Sequence, residues 1–384
     1  MAAIGRAGLN FKQTLRFSLA RPYPPARILI DRDRYFRKIF KTQIRAANDI
    51  KAQTPTPGAA PSPSEGRGSQ KPLNPSTGAS PTRRGVGGGQ GEGEAAGDGF
   101  RLGLVGWPLG HSLSPRLHNA ALSALNLPGE YRLYPVPPFP EGQAHLADLL
   151  DQVRMGALDG LNVTIPHKQN VLSLLDDLTP TAAAIGAANL IFMKAGRLTG
   201  DNADAAGFLA DLQSNGLAEP ASGSRTALVL GAGGSTRAVV YALVNSGWQI
   251  WIAARRIEQA SALVASLQIS GPVLHVLKLE PESLTDSYDL IVNTTPLGMS
   301  PDVETCPWPA ELPFPPGAGV YDLVYNPFET VLVRLARATG LQAANGLGML
   351  VNQAAIAFET WTGHPAPLDA MWAAVAPQKE GTSS

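Results

Sequence analysis

The segment that most constrains the fold of this chain is a glycine-rich turn between a buried strand and a helix. It reads TALVLGAGGSTRAVVYALVNSG over residues 226–247, and a second strand, WQIWIAARR, follows it. Strand, glycine loop, helix and strand in this order are the context that a dinucleotide-binding loop requires. Gly231 allows the tight turn, and Gly233 and Gly234 let the backbone approach a pyrophosphate at the helix N-terminus. The sixth loop position is Thr236, so a glycine-rich turn of another α/β unit stays an alternative.

The end of the second strand indicates which dinucleotide would bind. An acidic residue there would bind the ribose 2′-hydroxyl of NAD. Here the strand ends in Arg255 and Arg256, and the first acid is Glu258. Guanidinium groups suit the 2′-phosphate of NADP by charge and by bidentate geometry, so the sequence favours NADP. A pair of solvated arginines is the alternative.

Strands and helices alternate through most of the chain from residue 100 onward. RLGLVG, YRLYPVP and DGLNVTIP are predicted strands before the glycine loop, and VLHVLK, YDLIVNTTP and GVYDLVY are predicted strands after it. NLIFMK and GRLTG are predicted to form a hairpin through Ala195 and Gly196, and ASGSR around Ser222 is a predicted linker. Alternation of this kind predicts the α/β class, with a parallel or mixed sheet covered by helices.

A polar cluster is predicted where the third strand, in LNVTIPHK, ends. Leu161, Val163 and Ile165 alternate with polar residues, and Pro166 stops the strand. The fixed φ of proline suits a first helical turn, so HKQNVLSLL is a predicted helix. Asn162, Thr164 and Lys168 would then meet at a carboxyl strand end, where α/β sheets bind ligands. The alternative is a capped surface turn with a solvated lysine.

Two predicted helix starts add further polar groups. In HSLSPRLHNAAL, Ser114 is the predicted N-cap, with proline at the first helical position. Ser112 and Ser114 thus lie beside a helix N-terminus, which favours an anion, although Ser114 could be a plain cap. In DNADAAGFLADLQSNG, Asp201 or Asn202 is the predicted cap, and Asp204 lies in the first turn.

Composition limits the functional classes. Residues 1–99 hold 16 Lys+Arg against 7 Asp+Glu, and residues 100–384 hold 15 against 24. The mildly acidic body does not suggest a nucleic-acid partner. Cys306 is the only cysteine, so an intrachain disulfide is impossible. No apolar run reaches the roughly 20 residues of a membrane span. We therefore expect a cytoplasmic protein, or a plastid protein if the N-terminal segment is a transit sequence.

The first 99 residues are predicted to be a disordered, low-complexity extension. Residues 52–99 are dense in Gly, Pro, Ser and Thr, a composition with too little apolar surface to offset the entropy of ordering. Residues 1–45 are basic and contain no acid before Asp31. A transit segment, translated sequence upstream of the true start and an arm that touches membrane or RNA are three open interpretations.

Six motifs in one order carry a resemblance to a known family. They are HSLSP, NVTIPHK, GAGGSTR, NTTPLGM, DLVYNP and GLGMLVNQ, and together they resemble the shikimate dehydrogenase family over roughly residues 101–375. The resemblance implies two α/β domains with the active site in the cleft between them. The N-terminal catalytic, substrate-binding domain would span residues 100–221, completed by C-terminal helices within 346–375, and a Rossmann domain would span 222–345.

The resemblance also implies an activity and a set of site residues. The activity is reversible, NADPH-dependent reduction of 3-dehydroshikimate to shikimate, in the pathway to chorismate and aromatic amino acids. Lys168 and Asp204 match the catalytic pair. Residues that match substrate-binding positions are Ser112, Ser114, Asn162, Thr164, Asn189, Tyr325 and Gln353. Residues expected at the cofactor are Gly231, Ala232, Gly233, Gly234, Ser235, Arg255, Asn293, Thr294, Thr295, Leu323, Gly346 and Met349. No metal is implied, because the hydride comes from the nicotinamide.

Four positions depart from the family's pattern. Ala203 replaces a threonine beside the motif aspartate, and Asn345 replaces an aspartate before the last glycine motif. After the second strand of the Rossmann domain, the usual asparagine-arginine-threonine reads Ala254, Arg255 and Arg256, which keeps the arginine. None of them removes a proposed catalytic group. A quinate/shikimate dehydrogenase is the nearest alternative, although such relatives usually carry an acid at the position of Arg255. A non-catalytic ligand-binding relative is the other, and the chain is expected to be a monomer or a homodimer.

Overall fold

A computed structural model describes residues 99–219, 225–269, 274–284 and 286–377. The predictions for residues 1–98 and for the linker around Ser222 lie outside the described residues. All of the described residues belong to one unit, Lys71–Ser384, and they form two six-stranded sheets with helices against them. Among these residues no helix has the length and apolar character needed to cross a bilayer.

The first sheet is mixed, with strand order β2-β1-β3-β5-β6-β4. Strand β1 is parallel to β2 and β3, whereas β5 is antiparallel to β3 and β6. The predicted hairpin is confirmed, because Ala195 and Gly196 both have positive φ between β5 and β6. The strands are β1 (Phe100–Gly106), β2 (Gly129–Pro135), β3 (Gly160–Val163), β4 (Asp177–Leu178), β5 (Leu190–Lys194) and β6 (Arg197–Asp201). The helices of this part are α1 (Ser114–Ala124), α2 (Gln143–Arg154), α3 (Pro180–Ile185) and α4 (Asp204–Ser214).

The second sheet is parallel throughout, with strand order β12-β11-β10-β7-β8-β9. This is the doubly wound order, in which the chain reverses direction across the sheet between β7 and β10, where such sheets bind dinucleotides. The strands are β7 (Thr226–Leu230), β8 (Gln249–Ala254), β9 (Leu274–Lys278), β10 (Leu290–Asn293), β11 (Gly319–Asp322) and β12 (Ala343–Asn345). The helices of this part are α5 (Gly234–Asn245), α6 (Ile257–Ser266) and α7 (Val331–Ala338). The α/β class with two sheet domains is confirmed.

Two helices after the second sheet return to the first. They are α8 (Leu347–Thr362) and α9 (Leu368–Val375). Trp361 of α8 donates its indole N–H to the carbonyl oxygen of Ile191 in β5, at 3.0 Å. Helix α4 also contacts the second sheet, since the hydroxyl of Tyr321 in β11 donates to Asp211 Oδ2 at 2.7 Å. The hydrogen bond of Trp361 thus joins α8 to the first sheet.

The prediction for LNVTIPHK needs two corrections. Strand β3 ends at Val163 rather than at Ile165, and all four of its residues are buried, because the strand lies in the middle of the sheet between β1 and β5. The predicted helix over HKQNVLSLL is wrong, since residues 170–174 form only a 3₁₀ turn. The carbonyl of Lys168 accepts from the backbone N–H of Ala188 at 2.8 Å, so it is not available to a helix that starts at Pro166.

The predicted helix caps also differ from the structure. Helix α1 starts at Ser114 itself, the cap position is Leu113, and no side chain caps it. Instead, Ser112 Oγ accepts from the backbone N–H of Ser114 at 3.3 Å. At α4 the cap position is Ala203, and of the two predicted capping residues Asn202 serves the helix start, because its Oδ1 accepts from the N–H of Asp204 at 3.1 Å. The hydroxyl of Ser114 is therefore not used as a helix cap.

Candidate active site

The centre of the candidate site is a buried ion pair. Lys168 Nζ lies 2.6 Å from Asp204 Oδ2, and the two residues are 8% and 5% exposed. Lys168 follows β3 in the loop, and Asp204 is the first residue of α4, where the helix dipole favours a carboxylate. The fold thus brings together two residues that are 36 positions apart in the chain.

Asn189, just before β5, holds the carboxylate from the other side. Its Nδ2 donates to Asp204 Oδ1 at 2.8 Å, and its Oδ1 accepts from the backbone N–H of Ala203 at the same distance. Both oxygens of Asp204 therefore have a donor, and the ammonium of Lys168 keeps two further N–H groups for a ligand. Ala203, which lacks the hydroxyl of the family's threonine, takes part here through its backbone.

Asn162 in β3 continues this network. Its Nδ2 donates to the carbonyl oxygen of Asn189 at 3.0 Å, and its Oδ1 accepts from the hydroxyl of Tyr131 at 2.8 Å. Tyr131 is 2% exposed and was missed by sequence reasoning. Its strand was predicted, but nothing in the strand pattern shows that the phenol reaches across β1 to β3.

The predicted substrate residues Ser112, Ser114 and Thr164 lie where β1 and β3 end. Ser112 and Thr164 are half-buried, and Ser114 is buried. The backbone N–H of Thr164 donates to the carbonyl of Val105, so this loop is held at the end of β1. A side chain at Gly106 would collide with the methyl group of Thr164, so that glycine lets the two loops approach each other.

Gln353 lies in α8, and Tyr325 lies in the loop that follows β11. Gln353 is 8% exposed, and its Nε2 donates to the carbonyl of Leu350 one turn earlier in α8, at 2.9 Å. A Cβ atom built on Gly207 of α4 would lie 3.0 Å from Gln353 Cβ, so α4 and α8 are in close contact there. Burial raises the pKa of Tyr325, which lines a cavity of about 420 Å³ together with Leu113, Arg116, Asn326, Phe328, Leu347, Val375, Ala376 and Pro377.

The glycine loop after β7 has the open surface that a pyrophosphate needs. Gly231 has φ +113°, and a Cβ there would lie 2.7 Å from Thr294 Oγ1. By contrast, a Cβ on Gly233 or Gly234 would meet no atom within 4 Å. Helix α5 begins at Gly234, and no side chain caps it, so the amides of its first turn point toward this open space. The neighbouring predicted residues Ala232 and Ser235 are half-buried.

Thr236, the non-glycine loop position, ties the loop to β10. Its Oγ1 accepts from the backbone N–H of Gly233 at 2.9 Å and lies 2.8 Å from Thr294 Oγ1. Thr294 in turn donates to the carbonyl oxygen of Leu230 at 2.7 Å. The threonine thus holds Gly233 and the β10 loop in fixed positions, which explains how the loop tolerates the departure from glycine.

Arg255 and Arg256 follow β8 directly, and both are exposed. Within the described ranges neither guanidinium forms an ion pair, so both are free to meet an anion. Their place beside the glycine loop follows from the pairing of β7 with β8, which brings Leu230 opposite Ala253. The arrangement fits the 2′-phosphate of an NADP molecule held on the loop.

Asn293 lies behind the cofactor loops and has no exposed surface. Its Oδ1 accepts from the backbone N–H of Thr295 at 2.8 Å and from the Thr295 hydroxyl at 2.7 Å, and its Nδ2 donates to Asp322 Oδ1 at 2.8 Å. Asp322 also accepts from the hydroxyl of Thr330 at 2.6 Å. Burial raises the pKa of Asp322 to about 6, and these hydrogen bonds oppose the shift. Asn293 would therefore act on a cofactor through the loop that it shapes.

The remaining predicted cofactor residues lie where β11 and β12 end. A side chain at Gly346 would collide with the backbone of Leu323, so glycine permits this close packing. Met349 is 7% exposed, in the first turn of α8. Two hydrogen bonds account for asparagine at position 345, where the family usually has aspartate. Asn345 Oδ1 accepts from the N–H of Leu347 at 3.1 Å, and Asn345 Nδ2 donates to the carbonyl of Phe328. An aspartate could make only the first of these bonds.

Comparison with known proteins assigns both ends of the folded chain to one family. Residues 104–191 match the shikimate dehydrogenase substrate binding domain, and residues 346–376 match the shikimate 5′-dehydrogenase C-terminal domain. The chain is 41% identical over 291 residues to the shikimate dehydrogenase (NADP(+)) of Symbiobacterium thermophilum, which covers 74% of this chain and 96% of that protein. It is 43% identical over 278 residues to that of Salinibacter ruber, covering 71% and 95% respectively.

Solved structures agree with this assignment. Shikimate 5-dehydrogenase from Thermus thermophilus in complex with NADP(H) and shikimate superposes with a TM-score of 0.62 at 38% identity, covering 72% of this chain and 98% of that one. Quinate dehydrogenase from Corynebacterium glutamicum in complex with NAD superposes with a TM-score of 0.65 at 31% identity, with the same coverage.

Proposed function

The chain belongs to the shikimate dehydrogenase family, and on that premise we propose that it catalyses the reversible, NADPH-dependent reduction of 3-dehydroshikimate to shikimate. The observation that carries this proposal is the contact between Lys168 Nζ and Asp204 Oδ2 at 2.6 Å, in a site where both residues are buried. A carbonyl reduction needs a proton donor at the oxygen that gains charge, and a buried ammonium that is held in place supplies one.

Each group in the site has a separate role in the reaction. The nicotinamide of bound NADPH supplies the hydride. Lys168 donates a hydrogen bond to the carbonyl oxygen through an N–H not used by Asp204, stabilises the developing negative charge and transfers a proton. Asp204 orients the ammonium through Oδ2, while Asn189 holds Oδ1, so the carboxylate cannot rotate away. In the reverse direction the neutral amine of Lys168 accepts the proton of the shikimate hydroxyl, and the Asp204 carboxylate stabilises the ammonium that forms.

Substrate recognition falls to short polar side chains around this pair. Ser112 and Ser114 would bind the substrate carboxylate at the start of α1, where the helix dipole favours an anion. Asn162, Thr164, Asn189 and Gln353 would bind the ring hydroxyls, with Tyr325 beside them. A site of this kind rejects a ring that lacks the matching hydroxyls, because its own buried polar groups would be left unpaired.

The cofactor would bind at the switch point of the second sheet. Gly233 and Gly234 leave room for the pyrophosphate, the free amides at the start of α5 face it, and Arg255 would bind the 2′-phosphate. We assign residues 222–345 to this cofactor domain. Residues 100–221, with α8 and α9, form the substrate domain in this assignment. Cytoplasmic or plastid localisation, and a monomer or homodimer, stay predictions.

The test compares turnover of shikimate and quinate with NADP⁺ and with NAD⁺. We expect shikimate with NADP⁺ to give the highest kcat/KM. The similarity to an NAD-bound quinate dehydrogenase makes NAD-dependent oxidation of quinate the second candidate function. The exposed Arg255 argues against it, because an arginine at this position favours NADP. A higher kcat/KM with quinate or with NAD⁺ would contradict the proposal, and turnover of neither acid would favour a non-catalytic relative.

A further inference from the structure

A buried aromatic pair lies directly behind the candidate substrate site. The phenol ring of Tyr131 in β2 stacks on the imidazole of His118 in α1, with ring centroids 4.2 Å apart and planes inclined by 3°. Trp361 of α8 lies against both rings, with centroids 5.4 Å from His118 and 6.2 Å from Tyr131. Because three elements hold it, the phenol has little freedom to move.

The hydroxyl of Tyr131 has a defined hydrogen-bonding task. It donates to Asn162 Oδ1, while Asn162 Nδ2 donates to the carbonyl oxygen of Asn189. If the amide were reversed, Oδ1 would face the Asn189 carbonyl, and two acceptors would oppose each other. A primary amide has two N–H groups, so in the observed orientation Asn162 keeps one for a ligand.

Protonation does not disturb this arrangement in the working pH range of an enzyme. Burial raises the pKa of Tyr131 well above its ordinary value of 10.0, although a hydrogen bond with the Ser114 side chain opposes the shift. Burial lowers the pKa of His118 to about 3, although a hydrogen bond with the Asn162 side chain opposes the shift, so the imidazole under the phenol is neutral. Tyr131 is therefore a constant donor that touches both Asn162 and Ser114.

We propose that Tyr131 is a positioning residue, which fixes the Asn162 carboxamide so that its free N–H is directed at a ring hydroxyl of the substrate. The inference rests on the proposed function, because it takes Asn162 to contact shikimate. It adds a residue outside the substrate contacts that sets the direction of one of them. Without the hydroxyl, Asn162 Oδ1 would lose the donor that lies 2.8 Å away, in a residue that is only 4% exposed, and the amide could turn.

The experiment combines Tyr131→Phe, Asn162→Ala and the double variant. Phenylalanine keeps the stacked ring and removes only the hydroxyl. Tyr288→Phe is the matched control, because Tyr288 is also 2% exposed and its hydroxyl has no hydrogen-bond partner among the described residues. Each protein is assayed for kcat and for the KM values of shikimate and NADP⁺, and its folding is checked by urea unfolding.

We expect Tyr131→Phe to raise the KM for shikimate about 5- to 30-fold, the usual effect of one hydrogen bond to a buried acceptor, and to leave the KM for NADP⁺ within about twofold. The double variant should be no worse than Asn162→Ala, because Tyr131 acts through Asn162. Tyr288→Phe should behave like the wild type.

Independent losses that multiply in the double variant, or an equal rise in the KM for NADP⁺, would overturn the role of Tyr131 and indicate a general structural effect. An unchanged KM for shikimate in Asn162→Ala would also overturn it, even if Tyr131→Phe failed to fold. A wild type that does not turn over shikimate would refute the proposed function. An active wild type whose variants lack the expected effects would refute only the role of Tyr131, so the two failures are distinguishable.

Discussion

Replacing Lys168 with methionine tests the centre of the site. Methionine keeps a long apolar stem and removes the ammonium that lies 2.6 Å from Asp204 Oδ2. A positioned acid-base group contributes about 10²–10⁴-fold to a rate. At about 1.4 kcal/mol for each factor of ten, this corresponds to roughly 3–5 kcal/mol of transition-state stabilisation. We expect kcat to fall by that factor and the KM for shikimate to change less.

The same substitution should also change stability. Removing one partner of a buried ion pair costs about 3–5 kcal/mol, because the remaining charge loses its counterion. Asp204 keeps the donor from Asn189 and its place at the N-terminus of α4, which offsets about 1 kcal/mol or more of this penalty. We therefore expect a loss of about 2–4 kcal/mol in the free energy of unfolding. The double variant Lys168→Met/Asp204→Asn should recover part of it, since no buried charge is left.

The measurements are steady-state kinetics with shikimate and NADP⁺, and urea unfolding of each variant. Lys194→Met is the control, because Lys194 is an exposed lysine at the end of β5. It should leave both quantities unchanged. If kcat of Lys168→Met stayed within tenfold of the wild type while the protein remained folded, Lys168 would not be the proton donor and the mechanism would be wrong.

Three further predictions concern the cofactor domain. Arg255→Glu should raise the KM for NADP⁺ about 10- to 100-fold, which is the value of a hydrogen bond to a charged group, and should change the KM for NAD⁺ little. The control is Arg334→Glu, because Arg334 is also an exposed arginine. An equal loss for both cofactors would count against a contact between Arg255 and the 2′-phosphate. Gly233→Ala should weaken NADP⁺ binding without loss of stability. Gly231→Ala should lower the free energy of unfolding in urea by about 1–3 kcal/mol, because Gly231 has a positive φ. Equal stabilities of the two variants would contradict this interpretation of the loop. Asp322, whose pKa is raised to about 6 in the folded protein, binds more protons folded than unfolded between about pH 4 and 6. Its contribution to stability should therefore fall by about 3 kcal/mol as pH rises through that window. Urea unfolding at pH 4 and at pH 6 measures this fall, and Asp322→Asn should abolish it. If the variant kept the same pH dependence, Asp322 would not be its source.

The elements that were predicted correctly have signals that are local in sequence. The glycine loop and the buried strand before it give the dinucleotide-binding unit, and the alternation of strands and helices gives the α/β class. The turn at Ala195 and Gly196 gives the hairpin. Each of these depends on backbone preferences and on apolar spacing within a few residues, so the chain itself carries the information.

The elements that were predicted wrongly depend on distant partners. HKQNVLSLL has helical spacing, but the carbonyl of Lys168 bonds to Ala188, and a local pattern cannot show that competition. Ser114 looks like an N-cap, yet it is itself the first residue of the helix, and its hydroxyl lies by Tyr131. The same limit applies to Tyr131, whose strand is visible in the sequence and whose hydrogen bond to another strand is not.

The sequence alone determined which chemical groups this protein has, in which order, and to which family it belongs. Motif residues such as Lys168, Asp204 and Arg255 are properties of the chain, and so is the glycine loop. Only the tertiary structure decided which groups meet. The pairing of β3 with β5 brings Asn162 to Asn189, and the start of α4 brings Asp204 to Lys168. Hydrogen bonds and burial depend on distances between atoms far apart in sequence, and those distances exist only in the fold.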